Sequence, residues 1–121
     1  MSSFRLNNST SLKSSLEIDN VFKNGKKLSS KLMTLTFAVS KKNKLRIAFS
    51  VGKKSHDLAV TRNKLKRLMR EAFRLNAGRF IEKDLCYDFV FVYFGSNKVS
   101  FIDVEHSMKS LLLSFKTKVL S

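Results

Sequence analysis

Apolar positions along the chain change their spacing several times, and each change marks an element. Ile18, Val21 and Phe22 fall at helical intervals, so Leu16 to Lys23 is predicted as a short helix, stopped at Asn24-Gly25. Ser14 and Glu17 have the spacing of a capping box, in which the serine accepts from a backbone N–H and the glutamate answers at the serine's own N–H. Leu32 to Ser40 is rich in Thr, Phe and Val, and Leu45 to Val51 alternates strictly, with Leu45, Ile47, Phe49 and Val51 on one face and Arg46, Ala48 and Ser50 on the other. Both read as strands joined by the basic loop Lys41 to Lys44; the odd face of the second belongs to the core and its even face is polar and small. Tyr87 to Phe94 is almost continuously apolar, as in a central strand buried on both sides. Ala59 to Asn76 gathers Leu65, Leu68, Met69, Ala72, Phe73 and Leu75 on one arc of a helix, and Val104, Met108, Leu111, Leu112, Phe115 and Val119 make Asp103 to Lys118 a second amphipathic one.

These elements amount to one domain over residues 1–121, with a polar stretch over 1–13 expected to fray. With 43% hydrophobic residues and 11 phenylalanines the chain has the material for a core and is unlike a disordered one. A lone cysteine, Cys86, excludes an internal disulfide, and with only two histidines it leaves a Cys/His zinc site short of ligands. Asp57, Asp84, Asp88 and Asp103 are scattered singly, so no carboxylate pair is placed to hold two metals. No apolar run approaches the roughly 20 residues of a membrane span, and the start of the chain has no apolar signal segment, so a cytoplasmic protein is expected.

Charge changes this picture most. There are 24 Lys and Arg against 9 Asp and Glu, a net +15. Met1 to Val51 carries +8, Gly52 to Arg79 carries +7, and Phe80 to Ser121 sums to 0. The excess therefore belongs to a surface built by the first two thirds of the chain, and a polyanionic partner follows. On a helical wheel of Ala59 to Asn76, Arg62, Lys66, Arg70, Asn63, Arg74 and Arg67 fill an arc of roughly 140°, with the apolar residues on the other side. Charges fixed on a docked helix can match phosphates at defined positions, and arginine suits bidentate phosphate recognition. Glu71, at i+4 from Arg67, is placed to pair with it.

The run Arg62-Asn63-x-x-Lys66-Arg67-x-x-Arg70-Glu71-x-Phe73-Arg74 resembles the arginine- and asparagine-bearing helix of the protein subunit of bacterial ribonuclease P. Ser50-Val51-x-Lys53-Lys54, Val21-Phe22-Lys23-x-Gly25 and Tyr87-Asp88-Phe89-Val90 also look like that family's, in the right order, across about residues 11 to 118. The resemblance implies an α/β sandwich of α+β type, two-layered, in the order α-β-β-β-α-β-α, with a left-handed βαβ crossover, similar to a ribosomal-protein domain. It implies that the catalyst is an RNA subunit using magnesium ions, one protein per RNA. The protein would bind that RNA and the 5′ leader of precursor tRNA, helping to release mature tRNA 5′ ends. A non-enzymatic ribosomal or RNA-assembly protein on a related fold is the alternative.

Carried over residue by residue, the resemblance assigns RNA contact to Lys53, Lys54, Arg62, Asn63, Lys66, Arg67, Arg70 and Arg74, and a leader cleft to Ile18, Phe22, Thr36 and Ser50. A ring at Phe22 suits single-stranded RNA, since a stacked base is worth about 1 to 3 kcal/mol. Ile18 stands where many members have a second aromatic and Thr36 where some have a tyrosine, which implies less stacking. Phe94-Gly95-Ser96 stands where the family often has basic residues. Tyr87, Phe89, Phe91 and Tyr93 are read as core, because Val90, Val92 and Phe94 are apolar too. Cys86 is read as a small buried hydrophobe, His56 as an exposed loop residue and His106 as either a surface or a helix-pairing residue of the last helix.

Overall fold

Four strands form one sheet in the order β1-β2-β4-β3 in the computed structural model, which describes residues 10–52, 58–82 and 84–120. The elements run α1 (Ser15–Asn24), β1 (Lys26–Ser29), β2 (Met33–Val39), β3 (Arg46–Val51), α2 (Ala59–Asn76), β4 (Tyr87–Tyr93) and α3 (Phe101–Phe115). A 3-10 turn, Ala77–Arg79, follows α2, and a wider π turn, Lys116–Leu120, ends α3. This is the expected α-β-β-β-α-β-α order. The strand absent from the sequence reading is β1, whose Lys-Lys-Leu-Ser has no strand signature of its own; pairing with β2, Lys26 opposite Phe37 through Ser29 opposite Thr34, makes it one.

The central strand is β4, antiparallel to β2 and parallel to β3, so α2 makes the crossover between parallel neighbours. Alternation sorts the side chains. Met33, Leu35, Phe37, Ile47, Val51, Phe89, Phe91 and Tyr93 turn to one face, where Leu65, Met69, Ala72 and Phe73 of α2 and Met108, Leu111, Leu112 and Phe115 of α3 close over them. The aromatic stripe of β4 is core, as expected: Phe89 and Phe91 are wholly buried and Phe115 meets Phe89 edge-on at 4.9 Å. Phe94 lies beyond the end of the strand and is exposed, so the burial expected on both sides stops at Tyr93.

Among the described residues the second face of the sheet carries α1 and a small cluster, Leu12, Val21, Ala48 and Val90, with Ile18, Ala38 and Val92 beside it. Thr10–Leu12 belongs to the stretch expected to fray, yet Leu12 is buried and its N–H donates to Ile47 O at 2.9 Å along the outer edge of β3. Gly25 stops α1 for a reason of space: a Cβ there would collide with the carbonyls of Val21 and Phe37. Asn43, in the basic β2–β3 loop, takes φ 53°, which asparagine tolerates. The last helix begins two residues earlier than expected, at Phe101, because Ser100 and Asp103 form a complete capping box.

Candidate nucleic-acid interface

The basic face of α2 is rigid because the opposite face is locked. Leu65, Met69, Ala72 and Phe73 are wholly buried, and Asn76, also buried, donates to Ala72 O at 2.8 Å and to Glu105 of α3 at 2.9 Å. Leu75 departs from the expected apolar arc and is exposed. Outward stand Asn63, Lys64, Arg67 and Arg70, exposed, with Arg62, Lys66 and Arg74 half-exposed. Glu71 pairs with Arg74 rather than Arg67: Arg74 Nε donates to it at 3.2 Å, an i,i+3 contact. That hydrogen bond holds the Glu71 carboxyl below its ordinary value against the opposing pull of burial, and holds the Arg74 guanidinium above its own. Lys53, Lys54 and His56 lie outside the described residues.

Arg70 reaches over the ring of Phe49, 5.8 Å from its centroid. With Lys66 it walls a groove of about 450 Å³ that crosses the edge of β3 to Ile18, Ala48 and Lys13, and among the described residues no carboxylate lines it. A second groove, about 420 Å³, is lined by Phe22, Gly25, Lys27, Thr34, Thr36 and Val92. Phe22 is 46% exposed although it faces the sheet's second side, and it belongs to neither core cluster.

The four residues expected in one cleft therefore divide. Phe22 and Thr36 meet, although Thr36 is itself buried beneath. Ile18 packs on the small cluster and opens on the basic groove instead. Ser50 lines neither groove, but it lies opposite Val92, which lies opposite Thr34, in one row across the sheet. Among the described residues the two grooves share no lining residue; the rows Thr36–Val90–Ala48 and Thr34–Val92–Ser50 run between them.

A polar anchor that the sequence reading left out holds α1 over this face. Arg46 Nε and Nη2 donate to the two carboxylate oxygens of Asp88, each at 3.0 Å, and Nη1 donates to Glu17 at 2.9 Å. Ser14 caps α1 by accepting from the Glu17 N–H, so the expected capping box is half made, its glutamate taken by Arg46. The Asp88 hydrogen bond raises the Arg46 pKa against desolvation, with Glu17 adding to it, so the guanidinium stays charged. Asp88, which looked isolated along the chain, is thus paired by the sheet register, Arg46 opposite Asp88.

The remaining candidates carry less. Cys86 is half-buried, not fully, with its thiol toward Asp84 O at 3.4 Å. His106 is exposed on α3, the surface position of its two expected ones. Among the described residues no three His, Cys, Asp or Glu side chains cluster so as to hold a metal ion, and no helix is long and apolar enough to cross a membrane.

A family model described as Ribonuclease P matches residues 6–116. The ribonuclease P protein component of Clostridium kluyveri is 36% identical over 102 residues, 84% of this chain and 89% of that protein. That of Clostridioides difficile is 35% identical over 107 residues, 88% and 91% of the two chains. Among solved structures, the RNase P protein from Thermotoga maritima superposes with TM-score 0.69 at 30% identity, over 81% of this chain and 90% of that one. The Staphylococcus aureus RNase P protein shares the fold, with TM-score 0.72 at 23% identity, over 85% and 92%. The chain belongs to the ribonuclease P protein family.

Proposed function

We propose that the chain is the protein component of a ribonuclease P holoenzyme, acting with a catalytic RNA to remove the 5′ leader of precursor tRNA endonucleolytically. The observation that carries this reading is the α2 helix, whose arginines and lysines stand out from a backbone pinned by a wholly buried opposite face. Arg62, Asn63, Lys66, Arg67, Arg70 and Arg74, with Lys53 and Lys54 before them, contact the phosphates of the catalytic RNA and the nearby leader backbone. A protein neutralising several phosphates gains affinity from counterion release, which a fixed array provides in one register. Arg74 shares its charge with Glu71, so Arg67 and Arg70 carry more of the contact.

The leader lies in the groove beside Phe22. Its floor of Thr34, Thr36 and Val92 is neutral and small, Lys27 offers a cation at its rim, and the Phe22 ring is accessible for a base to stack on. Ser50 extends the floor along the Thr34–Val92 row. Ile18 belongs to the basic groove, so stacking rests on Phe22.

Catalysis belongs to the RNA, and magnesium is bound mainly there; the scattered carboxylates of the described chain do not fit a magnesium cage of their own. One protein acts per RNA, in the cytoplasm.

The leader assignment is tested by comparing the holoenzyme's affinity for precursor tRNA with that for mature tRNA lacking a leader. Phe22→Ala is expected to lower the precursor affinity about fivefold or more, the value of one stacked base, and to leave mature tRNA unchanged. Equal losses on both substrates would place Phe22 outside the leader path.

A further inference from the structure

We propose that Glu17 is a positioning residue for the Phe22 groove: held by Arg46, it fixes the rotation of α1 about its own axis and so the direction in which Phe22 faces. This rests on the leader reading above.

The helix needs such a fixture. It is ten residues long, and Val21 is its one buried residue, while Leu16 is 81% and Phe22 46% exposed. Its apolar footing is narrow, Val21 buried with Ile18 half-buried beside it on the small cluster, and a roll of a few tens of degrees would move a ring at the helix surface by several ångströms, given a backbone radius of about 2.3 Å and the reach of the side chain. Glu17 lies one turn before Val21 and about 40° round from it, so the two attachments stand on nearly the same side at different heights. Ile18 packs about 60° to the other side of Val21, and with Glu17 opposing it across Val21 the roll is defined. Phe22 follows Val21 by about 100°, which brings its ring to the groove margin rather than beneath the helix.

The far end of the tether is itself immobile. Arg46 and Asp88 are 8% and 6% exposed, and their double hydrogen bond ties the edge strand β3 to the central strand β4. A guanidinium is planar, so engaging Nε and Nη2 fixes where Nη1 points, and it points at Glu17, 2.9 Å away. The Ser14 cap shows the same allocation: its bond from the Glu17 N–H is long, 3.4 Å, and the glutamate reaches away from its own helix start to the sheet.

A double-mutant cycle separates positioning from general stabilisation. The holoenzyme is assembled from the full chain and its cognate RNA, and the ratio of affinities for precursor tRNA and leaderless tRNA is measured for the native protein, Glu17→Gln, Phe22→Ala and the double variant. Glu17→Gln keeps the Arg46–Asp88 pair and the Ser14 cap. It is expected to lower the ratio about two- to fivefold, in line with a partly exposed ion pair, and to add nothing in the Phe22→Ala background. Ser14→Ala, which weakens the helix start without touching the tether, should keep the native ratio. The proposal is overturned if Glu17→Gln keeps the native ratio, if its effect multiplies in full with that of Phe22→Ala, or if Ser14→Ala reproduces it. A native ratio for Phe22→Ala alone would remove the leader reading itself, and this inference with it.

Discussion

Changing Arg67 and Arg70 together to glutamine is expected to weaken binding to the catalytic RNA about a hundredfold or more, with little change in the stability of the protein. Both guanidinium groups are exposed on α2, and a charge-assisted hydrogen bond to phosphate is worth about 1.5 to 3 kcal/mol, so losing two removes at least about 3 kcal/mol. Stability changes little because neither side chain supports the core; Arg70 forfeits only its contact over the Phe49 ring, about 0.5 to 1 kcal/mol at an exposed site. Salt reports the same contacts independently. If six or more phosphates are engaged, the native affinity falls roughly a thousandfold or more between 50 and 200 mM salt, and the variant's slope should be shallower by about two contacts. A variant that binds as tightly and with the native slope would move the RNA surface away from α2.

Asp88→Ala is expected to cost about 3 to 5 kcal/mol of folding stability, read as a shift of the urea midpoint. Asp88 accepts two hydrogen bonds from Arg46 in a site where both residues are almost fully buried, and its removal strands a buried guanidinium with one remaining partner, Glu17. An arginine stays protonated in proteins even when it loses a partner, so Arg46 does not escape by losing its proton. Replacing the pair together, Arg46→Met with Asp88→Leu, should recover much of the loss, since no buried charge is left over. A cost below about 1 kcal/mol for Asp88→Ala alone would show that the pair is not the anchor of this face. Losses of this size take a large part of the 5 to 15 kcal/mol typical of a domain.

How far the sequence can be read depends on where each partner lies. The bounds of α2, Ala59–Asn76, were legible because 18 residues of regular periodicity outweigh any single position. The core stripe Phe89, Phe91 and Tyr93 followed from period-two alternation in the same way. The short strand β1 was not, since its geometry is conferred by β2 and not by Lys26 to Ser29 themselves. Glu17 shows the limit of local spacing: three residues from Ser14 it fits a capping box, but a guanidinium 29 residues away competes for its carboxylate and wins. Glu71 likewise sits between two arginines, and the i,i+3 partner Arg74 takes it from Arg67 at i−4.

The site divides along the same line. The basic arc needed only helical geometry. The cleft needed the sheet order, because only β1-β2-β4-β3 brings Thr34, Val92 and Ser50 into one row. Ile18 and Phe22 are four residues apart on one helix, yet about 40° of rotation and 6 Å of rise between them suffice to open them on different grooves. The resemblance to a family named Ile18, Phe22, Thr36 and Ser50 together without any register, and the folded chain sets Ile18 on a different groove from Phe22 and Thr36.

The claim on which the rest depends is that this chain completes a ribozyme. It is tested most directly by mixing the purified protein with its cognate ribonuclease P RNA at a magnesium concentration too low for the RNA to act alone, then mapping the 5′ end of the tRNA produced. Cleavage of precursor tRNA at the mature 5′ end, dependent on both components, is the expected outcome. Binding to the RNA without any stimulation of that cleavage would contradict it and make the chain an RNA-binding protein of another purpose.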